Sequence, residues 1–390
     1  MKKSSLITAS QPHILIVSAS TGGGHVRAAE GLELCLRERY PHIKVTNIDM
    51  MEYVSWLFKK LYVEGYTDMM MHKRWLFGLL YKLTDKPPRT VLMQHFRLWF
   101  QKINMGRARR AFLQINPDHV ICTHFTPAEM FDRARSNGVK IPPVSVVVTD
   151  FDVHWIWVHR MLDEYFVADP QAAARLASRG IAPEKTHVAG IPLCPAFTRN
   201  HSVTASRTAL GLQPDTTTIL LLAGGFCVSK IDILARKILL HDINLQLIAV
   251  AGNNDTLHAS FDRVAREFPG RLIVVGFTNE IENCMAASDL VITKPGGLTI
   301  SECLALGKPM IMIDPIPGQE VHNAAYVMEK DAGVMAYDDV GVIYHLDELV
   351  RQPGRLARMQ EAARQAGTPQ AGFDIADIIV KRYFPPCADA

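Results

Sequence analysis

A run of glycines followed by a histidine, Gly22-Gly23-Gly24-His25, is the first group of residues that could do chemistry. Glycines at a turn between a strand and a helix let backbone N–H groups approach an anion or a sugar closely. At a helix start the helix dipole disfavours a protonated histidine, so a neutral imidazole there can act as a general base. We predict that Gly23 and Gly24 line a ligand site and that His25 is catalytic. The alternative is a tight turn with a surface histidine.

A second glycine turn, in the stretch KPGGLTISE at 294–302, carries the strongest signal. An apolar run ends there, two glycines turn the chain, and a helix starts whose N–H groups suit a diphosphate. We predict that Gly296, Gly297, Leu298 and Thr299 form this phosphate site. Glu302 lies a turn further on, where a carboxylate can bind both hydroxyls of a ribose. An ordinary exposed helix glutamate is the alternative for Glu302.

A third polar group follows the second glycine turn after roughly 20 residues and contains Gln319, Glu320 and Asn323. It comes after an apolar run and a Pro-Gly turn. An amide beside a carboxylate suits sugar hydroxyls, since each hydroxyl both donates and accepts a hydrogen bond. A polar helix start is the alternative, but the nearness of the glycine–glutamate motif favours a sugar site.

A fourth group, Thr149-Asp150 with His154-Trp155, follows a buried apolar run and is therefore expected at the edge of a cleft. Asp150 could orient His154, or could itself be a second candidate for the general base. We expect His154 and Trp155 to face the acceptor. A purely structural Asp–His hydrogen bond is the competing interpretation.

Residues 54–112 form a basic and aromatic segment that interrupts the regular pattern. It holds twelve Lys or Arg against three acidic residues, a net charge of +9, and includes Trp56, Trp75 and Trp99. Basic residues attract anionic lipid, while Trp and Leu enter the membrane interface. The segment therefore predicts contact with an anionic membrane surface or a lipid acceptor. Core helices with solvated basic faces are an alternative; a nucleic-acid partner is not expected, because no recognition motif accompanies the charge.

The elements that must position these motifs are short apolar runs, each ending in a turn. They lie at 13–19, 44–48, 118–123, 144–149 and 164–168, then at 218–223, 246–251, 272–275, 290–293 and 309–313. Apolar strands alternating with helices indicate parallel sheets covered on both faces, and ligands bind beyond the carboxyl ends of such strands. The predicted fold class is α/β, with two Rossmann-like domains facing a cleft. Gly225, which follows the run at 218–223, joins the predicted ligand-binding residues.

A stretch rich in Pro, Ser and Thr at 190–206 marks the expected linker between the domains. The expected N-terminal domain is 1–195, which faces the acceptor, and the C-terminal domain is 196–370. A last helix, within 371–386, is expected to pack back on the first domain. Apolar spacing also predicts a helix from Arg27 to Tyr40.

Bulk composition limits the classes of protein that the chain can represent. Of 390 residues, 48% are hydrophobic and 21% charged, as in a globular protein, and the net charge of +3 does not favour nucleic acid. Seven scattered cysteines without a CxxC pair indicate a reducing cytoplasm. No apolar run reaches the roughly 18–20 residues of a membrane span. We therefore expect a cytoplasmic protein associated peripherally with the inner face of the cell membrane.

Taken together and in order, the motifs resemble the monogalactosyldiacylglycerol synthase and processive diacylglycerol glucosyltransferase family. That family is related to the peptidoglycan enzyme that adds GlcNAc to an undecaprenyl-linked precursor. The resemblance extends from about residue 13 to residue 384. It implies a glycosyltransferase B fold and an inverting transfer from a UDP-sugar. It also implies that no metal is bound. No cofactor is implied, because the UDP-sugar is a substrate.

The resemblance also implies a role for each motif. The stretch 296–299 would hold the diphosphate, Glu302 the ribose, and Gln319 and Glu320 the hexose. Phe277, after its strand, would lie near the uracil. In the N-terminal domain, the family's candidate base for the acceptor hydroxyl matches His25. The sequence departs from the family's usual motifs at two places. Pro295 stands where the family has Ala or Ser, and Phe226-Cys227 follow the glycines at 224–225.

The expected function is transfer of a hexose from a UDP-sugar to a membrane lipid, with diacylglycerol as the acceptor. Three alternatives stay open on the sequence. One is a UDP-sugar epimerase, which has a similar two-domain fold. Another is a glycosyltransferase acting on a polyprenyl-linked or other glycan acceptor. The third is a non-catalytic protein that binds sugar nucleotides.

Overall fold

Two parallel six-stranded sheets, each flanked by helices, organise the chain. The computed structural model describes residues 11–20, 22–56, 60, 65, 73–86, 108–222, 230–242, 244–352 and 354–385. The predicted α/β class with two Rossmann-like units is confirmed. No helix in these described ranges is both long and apolar enough to cross a bilayer.

The first sheet is built from the N-terminal part of the chain. Its strands are β1 (His13–Ser18), β2 (Lys44–Asp49), β3 (His119–Cys122), β4 (Val144–Val147), β5 (Glu164–Val167) and β6 (Thr186–Val188). They are ordered β2-β1-β3-β4-β5-β6, and all neighbours are parallel. The helices in this part are α1 (Gly23–Arg39), α2 (Arg74–Thr84), α3 (Phe125–Ser136) and α4 (Pro170–Ser178), and residues 108–115 are also helical.

The second sheet follows. Its strands are β7 (Thr217–Leu222), β8 (Leu245–Gly252), β9 (Leu272–Gly276), β10 (Leu290–Thr293), β11 (Met310–Ile313) and β12 (Gly333–Ala336). They are ordered β12-β11-β10-β7-β8-β9, again all parallel. The helices are α5 (Val203–Ala209), α6 (Ile231–His241), α7 (Asp255–Glu267), α8 (Ile281–Ala287), α9 (Gly297–Ala305), α10 (Gln319–Glu329), α11 (Asp339–Arg351), α12 (Arg355–Ala366) and α13 (Ala371–Tyr383). Short 3-10 helices lie at Met50–Glu52, Trp155–Trp157, Pro183–Lys185 and Pro195–Thr198.

Three local features differ from the sequence prediction. Strands β6 and β12 were not predicted, because both are short edge strands without a continuous buried apolar run; Val188 in β6 is 50% exposed. Helix α1 begins at Gly23, earlier than the predicted start at Arg27. The glycines carry no apolar pattern, yet here they take up helical backbone geometry.

The last helix packs on the first domain. On one face of the first sheet, Ile14 and Leu32 of β1 and α1 share a buried cluster with Ile375 and Ile379 of α13. The C-terminal end of α13 is anchored at Glu164 of β5, whose side chain is fully buried. The Glu164 carboxylate pairs with Arg382 at 2.7 Å and accepts a hydrogen bond from the Tyr383 hydroxyl at 3.2 Å. The chain thus crosses back to the first sheet after completing the second.

Ile379→Ala should lower the free energy of unfolding by about 2–4 kcal/mol, because it leaves a cavity where a large side chain was fully buried. Denaturant unfolding followed by fluorescence measures this loss. Ile378→Ala on the same helix is the matched control, since the Ile378 side chain is only half-buried, and its loss should be clearly smaller. Equal losses in the two variants would contradict the packing described for α13.

Candidate active site

The predicted motifs lie at the carboxyl ends of strands in both sheets, and the two edges touch. Thr149 follows β4, and Gly297 opens α9 after β10. The two backbones approach so closely that a Cβ on Gly297 would lie 2.2 Å from the Thr149 carbonyl oxygen. Only glycine fits at this contact. Parallel sheets bind ligands at this edge, so the contact places both halves of one candidate site together.

The Asn323 side chain fastens the two domains beside this contact. Its Oδ1 accepts from the backbone N–H of Phe151 at 2.9 Å, and its Nδ2 donates to Asp150 Oδ1 and to the Pro295 carbonyl, each at 3.2 Å. Asn323 is fully buried, and Phe151 stacks on Tyr326 with ring centroids 4.2 Å apart. The amide predicted to read a sugar is therefore occupied, in this arrangement, by an interdomain tie.

His25 is held from one side by two threonines. Its Nδ1 lies 3.1 Å from the Thr123 carbonyl oxygen and 2.7 Å from the Thr149 hydroxyl. A carbonyl oxygen can only accept a hydrogen bond, so we assign the proton to Nδ1 and the lone pair to Nε2. The ring packs edge-on against His124 at 4.5 Å between centroids. This arrangement makes Nε2 the atom that can take a proton from a ligand.

The electrostatics of this region keep the His25 imidazole neutral. Burial lowers the pKa of His25 to about 4, and the hydrogen bond to the Thr123 carbonyl only partly offsets that effect. The ring is therefore unprotonated near neutral pH and can act as a base. Gly23 and Gly24 are exposed in the first turn of α1, and a Cβ on Gly23 would meet nothing within 4 Å. The turn in front of His25 is open to a ligand.

Asp150, the second candidate base, lies at the same edge. Burial raises the pKa of Asp150 to about 6, while the hydrogen bond from Asn323 lowers it and the charge of Asp152 raises it further. One of its two carboxylate oxygens, Oδ1, thus accepts a hydrogen bond from the Asn323 side chain that joins the domains. Proton uptake by Asp150 would begin close to neutral pH, in contrast to His25.

The idea that Asp150 orients His154 is not supported, because His154 has other partners. Its Nδ1 accepts from the Ile156 backbone N–H at 3.1 Å, which leaves Nε2–H to donate to the Tyr81 carbonyl at 3.0 Å. The next residue, Trp155, donates its backbone N–H to Asp85 at 2.8 Å. Both residues, predicted to face an acceptor, instead tie the C-terminal end of α2 to the loop after β4.

The first turn of α9 presents backbone N–H groups without a side-chain cap. Gly296 is the N-cap residue in extended conformation, and Gly297, Leu298 and Thr299 follow as the first helical residues. Such uncapped N–H groups have no partner inside the helix and attract anions. The phosphate site expected from the sequence at this helix start stays a prediction.

Glu302 is a buried carboxylate one turn into α9. Burial raises its pKa to about 7, and the nearby charge of Glu282 adds to the rise. Arg27, on α1 of the first domain, lowers the same pKa. A carboxylate taken out of water in this way is costly unless donors reach it, and a pair of ligand hydroxyls would supply such donors.

The other two residues predicted to bind the hexose are Gln319 and Glu320, and only the Glu320 side chain has a hydrogen-bond partner among the residues that the structure describes. Gln319 is half-buried at the start of α10. Glu320 is buried, its Oε2 accepts from the Ile316 backbone N–H at 2.6 Å, and burial raises its pKa. Phe277 follows β9 and is 63% exposed. An exposed aromatic ring at a carboxyl strand end can stack on a base.

Arg74 and Lys294 are cations that the sequence did not single out. Arg74 of α2 forms an ion pair with Asp314 and donates to the Pro315 carbonyl at 2.8 Å, while Lys294 Nζ lies 3.2 Å from the other Asp314 oxygen. Arg74 and Asp314 are 240 positions apart, so no local signal could pair them. Among the residues that the structure describes, no three His, Cys, Asp or Glu side chains are grouped to hold a metal.

Two of the three predicted membrane-facing tryptophans are exposed. Trp56 is 73% exposed, with Lys60 Nζ 5.4 Å from its ring centroid, and Trp75 is 74% exposed. Trp99 and Gly225 lie outside the described residues. Both described tryptophans of the basic and aromatic segment therefore present their rings to solvent.

Comparison with known proteins matches one family model to each half of the chain. The model for monogalactosyldiacylglycerol (MGDG) synthase matches residues 25–193, and that for the glycosyltransferase family 28 C-terminal domain matches residues 226–375. A processive diacylglycerol beta-glucosyltransferase of Bacillus cereus (strain B4264) is 29% identical over 375 residues, covering 95% of this chain and 93% of its own. Its counterpart from Bacillus subtilis (strain 168) is 28% identical over 373 residues, covering 94% of each chain.

Solved structures share the fold over almost the full length. A putative UDP-N-acetylglucosamine 2-epimerase from Listeria monocytogenes has a TM-score of 0.61 at 14% identity, covering 98% of this chain and 99% of its own. MurG from Acinetobacter baumannii has a TM-score of 0.55 at 15% identity, with 95% and 99% covered. Anabaena HepE in complex with UDP and glucose has a TM-score of 0.55 at 14% identity, with 94% and 98% covered. These likenesses confirm the glycosyltransferase B fold.

The fold alone is compatible with an epimerase or a transferase, but both matched family models and the full-length relatives describe glycosyl transfer. The chain is therefore a glycosyltransferase, and it is similar over almost its whole length to processive diacylglycerol glucosyltransferases.

Proposed function

We propose that this glycosyltransferase moves a hexose from a UDP-sugar to diacylglycerol in a membrane, with inversion at the anomeric carbon. The observation that carries the proposal is the contact between Gly297 and Thr149. It brings an uncapped helix start suited to a diphosphate against the residue that holds the His25 imidazole. The names of the Bacillus relatives support diacylglycerol as the acceptor.

The donor half of the proposal depends on α9 and its surroundings. The first-turn N–H groups of 297–299 would bind the diphosphate, and Glu302 would accept hydrogen bonds from the ribose hydroxyls. Phe277 would contact the uracil, and Gln319 and Glu320 the hexose. HepE, which has the same fold, has been solved with UDP, and this agrees with the proposed nucleotide.

The reaction would be a single displacement. His25 Nε2 takes the proton from the acceptor hydroxyl as its oxygen attacks the anomeric carbon. The bond from that carbon to the UDP oxygen breaks, and UDP leaves with the electron pair. Preorganised N–H groups at the start of α9 would stabilise the charge that develops on the leaving diphosphate. The closed cleft would exclude water, which competes as acceptor.

The membrane half of the proposal depends on α2. Trp75, Leu79 and Leu83, spaced one turn apart along this helix, are 74%, 47% and 59% exposed. Lys73 and Lys82 are exposed beside them. An apolar row flanked by cations is typical of a helix that lies in an anionic membrane interface. We propose peripheral attachment to the inner face of the cell membrane through this surface, without a nucleic-acid partner.

The acceptor can be tested together with the base. Incubation with UDP-glucose, UDP-galactose or UDP-GlcNAc and vesicles containing diacylglycerol should yield a glycosyl-diacylglycerol, identified by mass. Product formed only with a polyprenyl-linked acceptor would replace diacylglycerol in the proposal.

The turnover of His25→Ala should fall about 10²–10⁴-fold, because only proton transfer is removed. Its affinity for the UDP-sugar should stay the same.

The pH profile separates His25 from Asp150 as the base. With the UDP-sugar saturating, kcat/KM for the acceptor should stay level down to about pH 5 and fall only towards the His25 pKa of about 4. The Asp150→Asn variant should keep this profile, whatever its level of activity. A fall centred near pH 6 that disappears in Asp150→Asn would assign the base to Asp150, whose pKa is about 6.

Glu302 predicts a pH dependence of donor binding. Its pKa of about 7 means that the free protein holds a proton there below neutral pH, and ribose hydroxyls would favour the ionised form. Affinity for UDP-glucose should therefore rise from pH 6 to pH 8, with release of a proton, as measured by calorimetry. UDP-glucose is the suitable probe because its esterified diphosphate does not titrate in this range.

Two variants test that assignment of Glu302. Glu302→Gln should bind more weakly and with little dependence on pH. Glu282→Gln removes a neighbouring charge that raises the Glu302 pKa, so it should keep the pH dependence but shift it to lower pH. A Glu302→Gln variant with the full pH dependence would contradict the role proposed for this carboxylate.

Vesicle flotation tests the membrane surface. The double variant Trp75→Ser, Leu79→Ser should lose most binding to vesicles that contain phosphatidylglycerol, because it removes two exposed apolar anchors. Leu240→Ser is the control, since Leu240 is 57% exposed on α6 of the other domain, and it should float like the unchanged protein. Loss of flotation in the control alone would place the membrane surface elsewhere.

A further inference from the structure

Helix α2 has two faces that serve different surroundings. One face carries the exposed apolar row of Trp75, Leu79 and Leu83. Another face, with Arg74, Gly78 and Tyr81, contacts residues 314–318 of the second domain. We call residues 314–318 the donor turn, since they connect β11 to the proposed hexose-reading residues at the start of α10.

The contacts between α2 and the donor turn are close and specific. Arg74 pairs with the Asp314 carboxylate and donates to the backbone carbonyls of Asp314 and Pro315 at 3.2 and 2.8 Å. A Cβ on Gly78 would lie 2.9 Å from the Pro317 Cβ. The first domain thus reaches across the cleft and touches the donor turn along its length.

Gly318 shows the same closeness at the other end of the donor turn. A Cβ on Gly318 would lie 2.6 Å from Cγ of the Tyr81 ring, so the ring rests directly on the Gly318 backbone. Gly318 has a φ of 103°, which glycine adopts readily, but Asp314 has a φ of 48° and carries a side chain. Positive φ is costly for a residue with a side chain, and neighbouring contacts must maintain it.

Helix α2 itself depends on contacts outside it. It has 11 residues, none of them buried, and isolated helices shorter than about 12–15 residues are marginal in water. Its C-terminal end is tied to the first domain by His154, which binds the Tyr81 carbonyl, and by Asp85, which pairs with Arg179 at 2.8 Å. Whatever covers its apolar row would further stabilise the helix, and with it the support of the donor turn.

We propose that Arg74 and Tyr81 are positioning residues for the donor, and that burial of the apolar row in a membrane surface raises the affinity for the UDP-sugar. This inference rests on the proposed function, which supplies both the donor and the membrane. Two ligands that each favour the same ordered helix bind cooperatively, and the coupling is reciprocal. The enzyme would then hold its donor tightly where its acceptor is found.

The test measures the dissociation constant of UDP-glucose with and without vesicles of phosphatidylglycerol and phosphatidylcholine that contain no diacylglycerol, so that no transfer occurs. The unchanged protein should bind UDP-glucose about fivefold or more tightly on vesicles, the range of ordinary allosteric coupling. Arg74→Gln should float with the vesicles as before but lose this gain. Arg236→Gln, which removes an exposed arginine–glutamate ion pair on α6 of the second domain, should keep it.

A partner variant tests the contact from the second domain. Asp314→Asn removes the carboxylate that Arg74 binds, and it should likewise float normally and lose the gain in affinity. A general loss of structure would reduce binding with and without vesicles alike, whereas loss of positioning removes only the difference between them. Arg74→Gln and Asp314→Asn together should lose less of the gain than the sum of the two single losses, since both remove the same ion pair.

The outcomes separate this inference from the proposed function. A protein that floats and binds UDP-glucose with the same affinity on and off vesicles would overturn the inference and leave the proposed function intact. Full retention of the gain in both Arg74→Gln and Asp314→Asn would overturn the roles given to these residues. Failure of the unchanged protein to float, or to bind any of UDP-glucose, UDP-galactose and UDP-GlcNAc, would overturn the proposed function and the inference with it.

Discussion

The close approach of Gly297 to the Thr149 carbonyl is the constraint on which the cleft depends. A side chain at position 297 would hold the two domains apart, because its Cβ would overlap the carbonyl oxygen. With glycine there, the start of α9 reaches the loop after β4, and the Thr149 hydroxyl reaches His25. The buried Asn323 amide then fastens the residues that follow Thr149 to the second domain. The proposed phosphate site and the candidate base are thus positioned by a single contact.

One physical cause, removal from water, accounts for the electrostatic character of the cleft. It lowers the pKa of the imidazole of His25 and raises the pKa values of the carboxyls of Asp150, Glu302 and Glu320. A neutral imidazole is competent as a base, and carboxylates short of donors are suited to ligands rich in hydroxyls.

The fold by itself does not determine the chemistry, because a putative epimerase from Listeria monocytogenes shares it over almost the whole chain. In this protein, one segment between strands that carries features of the candidate site is α2. This helix has an apolar row in solvent on one face and the donor turn against another. A glycosyltransferase that acts on a lipid must bring a soluble donor to an insoluble acceptor, and α2 is placed where both requirements meet.

The sequence by itself determined the parts of the molecule that short stretches encode. Apolar runs ending in glycine or proline turns defined ten of the strands and the edges where ligands bind, and they located His25, Gly297 and Glu302. These features depend on periodicity and turn chemistry within about a dozen residues. The edge strands β6 and β12 were not predicted, because an edge strand does not need a buried apolar run.

Only the tertiary structure decided which distant side chains meet. His154 binds the end of α2 in place of Asp150, Asn323 joins two domains where a sugar contact was expected, and Arg74 finds Asp314 far along the chain. These pairings depend on how the two sheets are oriented across the cleft. That orientation is fixed by close backbone approach and by packing between domains, which leave no periodic trace in the sequence.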